Sequence, residues 1–205
     1  MNNRNIFLVS TVIIAFFNAC DSDEQMAEYK LDEETSVVEW HGAGLAAQHT
    51  GAFKVEQESL SVVDEKITLG SFTIPISSIT NFDLPDEVKP ILLGHLMTAD
   101  FFNVAAYPTA SFVITAIAPY SGVSKDAIEN ANFYIKGDFA MIGRTNPVEF
   151  PAKIIFKDNV FTIEALITID RTKWGMDYMS DEAAAGEHYI YKEVDLHLKL
   201  VGKRN

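Results

Sequence analysis

The sequence predicts an all-β fold: an antiparallel sheet of about eight strands, curled over its own apolar face and broken by one short helical insertion. Three observations carry this. Apolar and polar residues alternate at period two in segment after segment, each segment is apolar on one face only, and short turn-forming stretches join them. A parallel sheet would need strands apolar on both faces and long helical crossovers. About eight such strands can close into a barrel that holds its own side chains or one elongated ligand. A two-sheet sandwich would give nearly the same pattern, and the alternation leaves both open.

Taken in order, Val38 and Trp40 share the first apolar face, and Phe53 and Val55 the second. Leu60 and Val62 begin a short strand that turns at Asp64-Glu65-Lys66, and Phe72, Ile74 and Ile76 follow, with Pro75 marking a strand edge or bulge. Phe112 and Ile114 start the next strand; Phe133, Ile135, Gly137, Phe139 and Met141 line one face of another. A turn over Gly143-Arg144-Thr145-Asn146-Pro147 leads to Val148, Phe150, Ala152, Ile154 and Phe156. Asp158-Asn159 is a hairpin signal before Phe161 to Ile169, and Val194 to Leu200 form the last strand. Two stretches break the alternation. From Asp86 to Leu96 the apolar residues fall at helical spacing, with Pro90 limiting how early a regular helix begins, and Lys173 to Gly186 reads as an irregular or helical insertion.

The first nineteen residues stand apart: Arg4, then an apolar run from Ile6 to Phe17, then Asn18-Ala19-Cys20. The run is shorter than the ~20 residues of a spanning helix and has the layout of a signal peptide. A small residue before a cysteine at its end resembles a bacterial lipoprotein cleavage site, with Phe17 where leucine is usual. Such a cysteine is acylated and becomes the first residue of the mature chain. Cys20 is the only cysteine, so the chain forms no intramolecular disulfide. Residues 1–19 are thus expected to be a leader, 20–28 an acidic tether after lipidated Cys20, and 29–205 one domain without repeat or linker. Without Met1 to Ala19 the chain carries 15 basic and 29 acidic residues, a net charge of −14. That charge argues against nucleic acid as a partner.

Four separated blocks point further: Gly94-His95-Leu96 through Asp100-Phe101-Phe102, Tyr107 to Phe112, Gly143 to Val148, and Ile169-Asp170-Arg171-Thr172-Lys173-Trp174-Gly175. With these, residues 29 to about 201 resemble the YceI-like family of periplasmic and lipoprotein lipid-binding proteins, most closely its lipoprotein branch. Many members carry a histidine before the first-strand serine, where this chain has Thr35 before Ser36. The resemblance implies a lipocalin-like barrel with an apolar tunnel for a long isoprenoid lipid or a quinone tail, no catalytic cofactor, and homodimers in some members. The lipoprotein-like site at Cys20 implies a lipid-anchored place in the bacterial cell envelope, at the outer membrane or cell surface given the acidic stretch after it, with the inner membrane as the alternative because of Asp21.

The expected tunnel lining is Trp40, Phe53, Phe72, Ile74, Phe101, Phe102, Phe112, Phe133, Phe139, Met141, Phe150, Phe156, Phe161 and Trp174. Stiff aromatic rings around a lumen can leave a slot for a flexible apolar chain. Periodicity alone equally describes a filled core, so a structural lipoprotein with a solid barrel stays open. At the mouth the candidates are His95, Asp100, Arg144 and Arg171. His95 and Asp100 could meet a headgroup, act as an acid–base pair in an enzyme modifying the lipid, or form a buried brace across the helix end. Arg144 and Arg171 could meet a phosphate or quinone oxygen, or Arg171 could pair with Asp170 to organise the loop of Trp174.

Enzyme motifs are otherwise absent. Gly42-Ala43-Gly44-Leu45-Ala46-Ala47 fits a dinucleotide fingerprint literally, but no crossover helix follows it. There is no GxSxG elbow and no P-loop. The histidines at 41, 49, 95, 188 and 197 lack metal-ligand spacing, so no metal is expected.

Overall fold

The computed structural model describes residues 26–27, 29–125 and 127–204. The expected leader and Cys20 lie outside them. Among the described residues twelve strands form one antiparallel ladder. Nine are long: β3 (Val37–Gly44), β4 (Gln48–Lys54), β5 (Glu56–Val63), β6 (Lys66–Pro75), β8 (Thr109–Pro119), β9 (Phe133–Met141), β10 (Arg144–Lys157), β11 (Val160–Asp170) and β12 (Ile190–Arg204). Three are short: β1 (Met26–Ala27), β2 (Tyr29–Leu31) and β7 (Thr80–Asn81). They run β1-β5-β6-β8-β9-β10-β11-β12-β3-β4-β7, with β2 also on β12. The stretch expected as a free tether thus ends in the sheet, because Met26 and Ala27 pair with Val63 and Val62.

β4 and β5 are one run of chain bent at Val55, itself only 2% exposed. The first half pairs with β3 and β7, the second with β6 and β1. A ladder that leaves through β6 therefore returns, eight strands later, to the same chain segment, and the sheet curls into a barrel. β10 spans the wall in a similar way, with residues 144–152 on β9 and 153–157 on β11.

Two-residue hairpins fix the register. Asp64-Glu65, Ile142-Gly143 and Asp158-Asn159 all have positive φ, the geometry whose twist matches right-twisted strands. The second corrects the sequence expectation. The turn is Ile142-Gly143, and Arg144 to Pro147 already belong to β10, where Pro147 faces Asp138 of β9. Over residues 144–152 β10 has a ladder partner on one side only, so a proline without an N–H is tolerated there. The helical expectation is met by α1 (Lys89–Leu96), with Pro90 in its first turn. The irregular stretch holds a 3₁₀ turn at Arg171–Trp174, the short helix α2 (Glu182–Ala185) and a 3₁₀ turn at Gly186–His188.

Two apolar clusters occupy opposite ends of the barrel. At the end bearing the Asp64-Glu65 and Asp158-Asn159 turns, Tyr29 packs on Phe156 and Phe161 with ring centroids 5.8–5.9 Å apart. Phe161 is fully buried, and its ring lies on Gly202, where an added Cβ would stand 2.0 Å from a ring carbon. We call this the closed end. The other end carries Trp40, Phe53, Phe101, Met141, Trp174 and Met176, with Leu92, Leu93 and Leu96 of α1 only half-buried against them.

β2 and β3 lie along β12, and the step between them is bridged by Ser36, which is wholly buried. Its hydroxyl accepts from Val201 N at 3.0 Å and donates to Val201 O at 3.3 Å, standing in for a missing strand residue. Ser36→Ala is therefore expected to leave a buried N–H unpaired and to lower unfolding stability by about 1–3 kcal/mol, read from the urea midpoint at unchanged m-value.

Candidate functional site: an apolar cavity open at one end

The barrel is hollow. A cavity of about 630 Å³ occupies its middle and the end away from the plug, within the size range of small-molecule sites. This sets aside the solid-barrel reading. Each long strand except β5 contributes wall, as period-two alternation requires, and Val55 adds the bend between β4 and β5. Phe72, Phe112 and Phe139 are cross-strand neighbours on β6, β8 and β9, and the Phe112 ring also meets Phe150 at 5.8 Å.

Of the expected lining, Trp40, Phe53, Phe72, Ile74, Phe101, Phe102, Phe112, Phe139, Met141 and Phe150 face the cavity. Phe101 and Phe102 both reach it, and Phe102 meets Phe53 edge-on at 5.6 Å. Phe133, Phe156, Phe161 and Trp174 do not line it. The first three belong to the closed-end cluster, because alternation gives the inward face of a strand and not the depth along the barrel. Trp174 packs behind the wall, its indole N–H donating to Phe139 O at 2.9 Å. Trp40 Nε1 is different: its N–H is buried without a hydrogen-bond partner among the described residues, although the ring faces the cavity.

The opening lies between the β3–β4 turn, α1 and the 171–189 connection, where lining residues such as Ala46, Ala47 and His188 are exposed. Gly42 to Gly44 are wall, and Gly44 leaves room for Tyr189 O, which an added Cβ would approach to 2.6 Å. The stretch that mimics a nucleotide fingerprint is thus the low rim of the barrel. Tyr178, Tyr189 and Tyr191 complete the rim, along with His49 and His188. Tyr178 and Tyr189 lie in the 173–189 segment, which has no periodicity from which to assign a face, and Tyr191 stands at the start of β12, before the alternation that marks that strand from Val194.

The polar candidates separate. His95 lines the cavity and donates through Nε2 to Asp100 Oδ2 at 3.0 Å; both side chains are half-exposed, so the expected buried brace is instead a solvent-facing one. The imidazole also meets the edges or faces of Phe101 and Tyr178 at 5.1 and 5.2 Å, which fixes its plane. Asp100 is outside the lining, as is Arg144, an exposed side chain whose guanidinium covers Gly175.

Arg171 is 2% exposed and makes no ion pair with Asp170. Its Nε donates to Tyr191 O, Nη1 to Met176 O and Nη2 to Tyr178 O and Ile190 O, at 2.5–3.0 Å. Four of its five donors are committed to holding the rim together. Burial pushes its pKa down, with Asp177 opposing, but a guanidinium stays charged. Asp170 instead caps the 3₁₀ turn, accepting from Thr172 N at 3.0 Å and Thr172 Oγ1 at 2.6 Å.

His49 donates through Nδ1 to Asp83 Oδ2 at 2.8 Å. Burial alone would raise the Asp83 pKa, but hydrogen bonds from Thr50 N, His49 and Asn81 outweigh it and hold it at about 2.

Comparison with known proteins agrees with this architecture. The YceI-like domain matches residues 29–202. Among solved structures, BcnA of Burkholderia cenocepacia is 22% identical, with 84% of this chain and 99% of that one covered at a TM-score of 0.65. A polyisoprenoid binding domain from Saccharophagus degradans is 10% identical, covering 87% of this chain and 99% of that one at 0.61. The YceI protein of Campylobacter jejuni is 12% identical, with 96% and 93% covered at 0.50. At these identities the likeness concerns the fold. No curated protein matches the chain.

Two predictions follow from the rim. Arg171→Leu strands four carbonyls and is expected to cost at least about 3 kcal/mol in urea unfolding, with Arg171→Lys recovering only part. The depressed Asp83 pKa means that its contribution is full above the unfolded value near pH 4 and is lost as pH falls through about 2. Asp83→Asn should flatten that segment of the stability–pH curve.

Proposed function

Because the chain belongs to the YceI-like family, we propose that its cavity holds the tail of a long isoprenoid lipid or quinone, and that the protein binds and carries this lipid rather than turning it over. The observation that carries the reading is the cavity itself: about 630 Å³, walled by aliphatic and aromatic side chains on all sides and open at one end. An apolar tail entering it leaves water at about 25 cal/mol per Å² of buried area. The polar groups gather at the opening, where a headgroup would remain, and a related domain is named for polyisoprenoid binding. His95 and Asp100, paired at the rim and braced by Phe101 and Tyr178, position the opening instead of serving as acid and base.

The signal-like leader and Cys20 support a second element of the proposal, anchoring by acylation at Cys20 in the bacterial cell envelope. Protein purified from its native membrane should release an isoprenoid lipid on solvent extraction, detected by mass spectrometry. Ala110 is 3% exposed and faces the cavity, so Ala110→Trp should obstruct it and lower lipid recovery while the far-ultraviolet circular dichroism stays unchanged. A folded native protein without lipid, which also fails to take up a polyprenol or quinone in titration, overturns the reading. Cys20→Ser should move the protein from the membrane to the soluble fraction.

A further inference from the structure

β1, the first described strand, and the mouth are at opposite ends of the barrel. β1 enters the sheet with Met26 beside Val63 and Ala27 beside Val62, at the terminus of β5 that adjoins the Asp64-Glu65 turn. Chain direction is fixed by this register: β1 runs antiparallel to β5, so Met26 is its residue nearer the Asp64-Glu65 turn and the closed end. The cavity opens at the other end, among the β3–β4 turn, α1 and the 171–189 connection.

Distances make the arrangement consequential. The 15 residues of β12 span the wall, about 46 Å of strand at ~3.3 Å per residue, or roughly 35 Å along the axis of a barrel with strands tilted 35–45°. From Cys20 to Met26 the chain reaches at most about 20 Å. Resting on the proposed acylation of Cys20, we infer that the barrel stands with its closed end toward the membrane that anchors it and exchanges its lipid with a second, facing lipid surface.

The rim fits such a surface of particular chemistry. Leu45, on the β3–β4 turn, is 56% exposed and Ile91 of α1 is 72% exposed, both beside wall residues of the opening. Connections 76–108 and 171–189 carry four acidic residues each, against Lys89, Arg171 and Lys173, with exposed Arg144 lying against Gly175 at the same end. Arg171 is spent on carbonyls and Lys89 is bonded to Asp86 at 2.8 Å. The mouth end is therefore apolar at its lip and acidic around it, which suits a zwitterionic surface and opposes an anionic one.

The full acylated chain tests this directly, because lipidated Cys20 leaves a single introduced cysteine as the only reactive thiol. Lys66→Cys labels the closed end and Ala183→Cys the mouth end, both at exposed positions outside the cavity wall. In phosphatidylcholine vesicles carrying a headgroup dye, energy transfer is expected to be strong from position 66 and weak from 183; equal or reversed transfer overturns the inference. In the second arm, protein anchored in one vesicle population should take a fluorescent polyprenol from a second phosphatidylcholine population several-fold faster than from its own vesicle. It should do so more slowly when the second population contains phosphatidylserine. Uptake from its own vesicle alone overturns the inference while leaving the cavity reading intact. Attachment that persists in Cys20→Ser overturns it through the anchor, and absence of polyprenol uptake by detergent-solubilised protein shows that the cavity reading itself has failed.

Discussion

The bend at Val55 is the constraint on which the rest of the molecule depends. A sheet with one apolar face can bury that face by stacking on a second layer or by curling until its edges meet. Here the chain makes the second choice covalently, because one run from Gln48 to Val63 serves β3 with its first half and β6 with its second. The circumference is thereby fixed before any side chain packs. Inward residues then either fill the space or leave it, and in this chain they do each at a different level.

At the closed end three rings and the N-terminal strand β2 fill the lumen. Leu31 N donates to Gln57 Oε1 at 2.6 Å, so β2 is tied to β5 as well as hydrogen-bonded to β12. At the mouth the barrel is spanned by α1 and the 171–189 connection, neither of which supplies a strand. The load there passes to Arg171, whose guanidinium gathers carbonyls from Met176, Tyr178, Ile190 and Tyr191. A buried cation meeting only carbonyl dipoles loses solvation, and the four hydrogen bonds compensate by holding an irregular segment in one shape.

How much of this was legible in the sequence follows from what each pattern encodes. Period-two alternation reports a face, so the strands, their inward residues and the all-β class could be read directly. It is silent about height along the barrel, and for that reason Phe133, Phe156 and Phe161 were grouped with the wall although they plug the far end. Pro90 marked the start of α1 because proline is suited to a first helical turn. Pro147 misled for the same reason: it was read as part of a turn, whereas its position on a strand with one unpaired edge removes the penalty. The rim is the least legible region. Its small residues, Gly42, Ala43, Gly44, Ala46 and Ala47, matter for the space they leave, and Tyr178 and Tyr189 sit where no periodicity exists. Arg171 could be singled out by type, but its partners are main-chain carbonyls, which no sequence pattern announces.

The division into a plugged end and an open end also has a thermal meaning. Apolar contacts that resist unfolding are concentrated around Tyr29, Phe156, Phe161 and Gly202, while no residue of α1 is fully buried. Local opening should therefore be graded along the barrel, with amides of α1 exchanging with solvent well before those of β11 and β12. A protein built this way can loosen its mouth without approaching global unfolding. Variation on α1 is then sheltered from the stability of the whole, so that side of the entrance can be reshaped while the barrel beneath it is left unchanged.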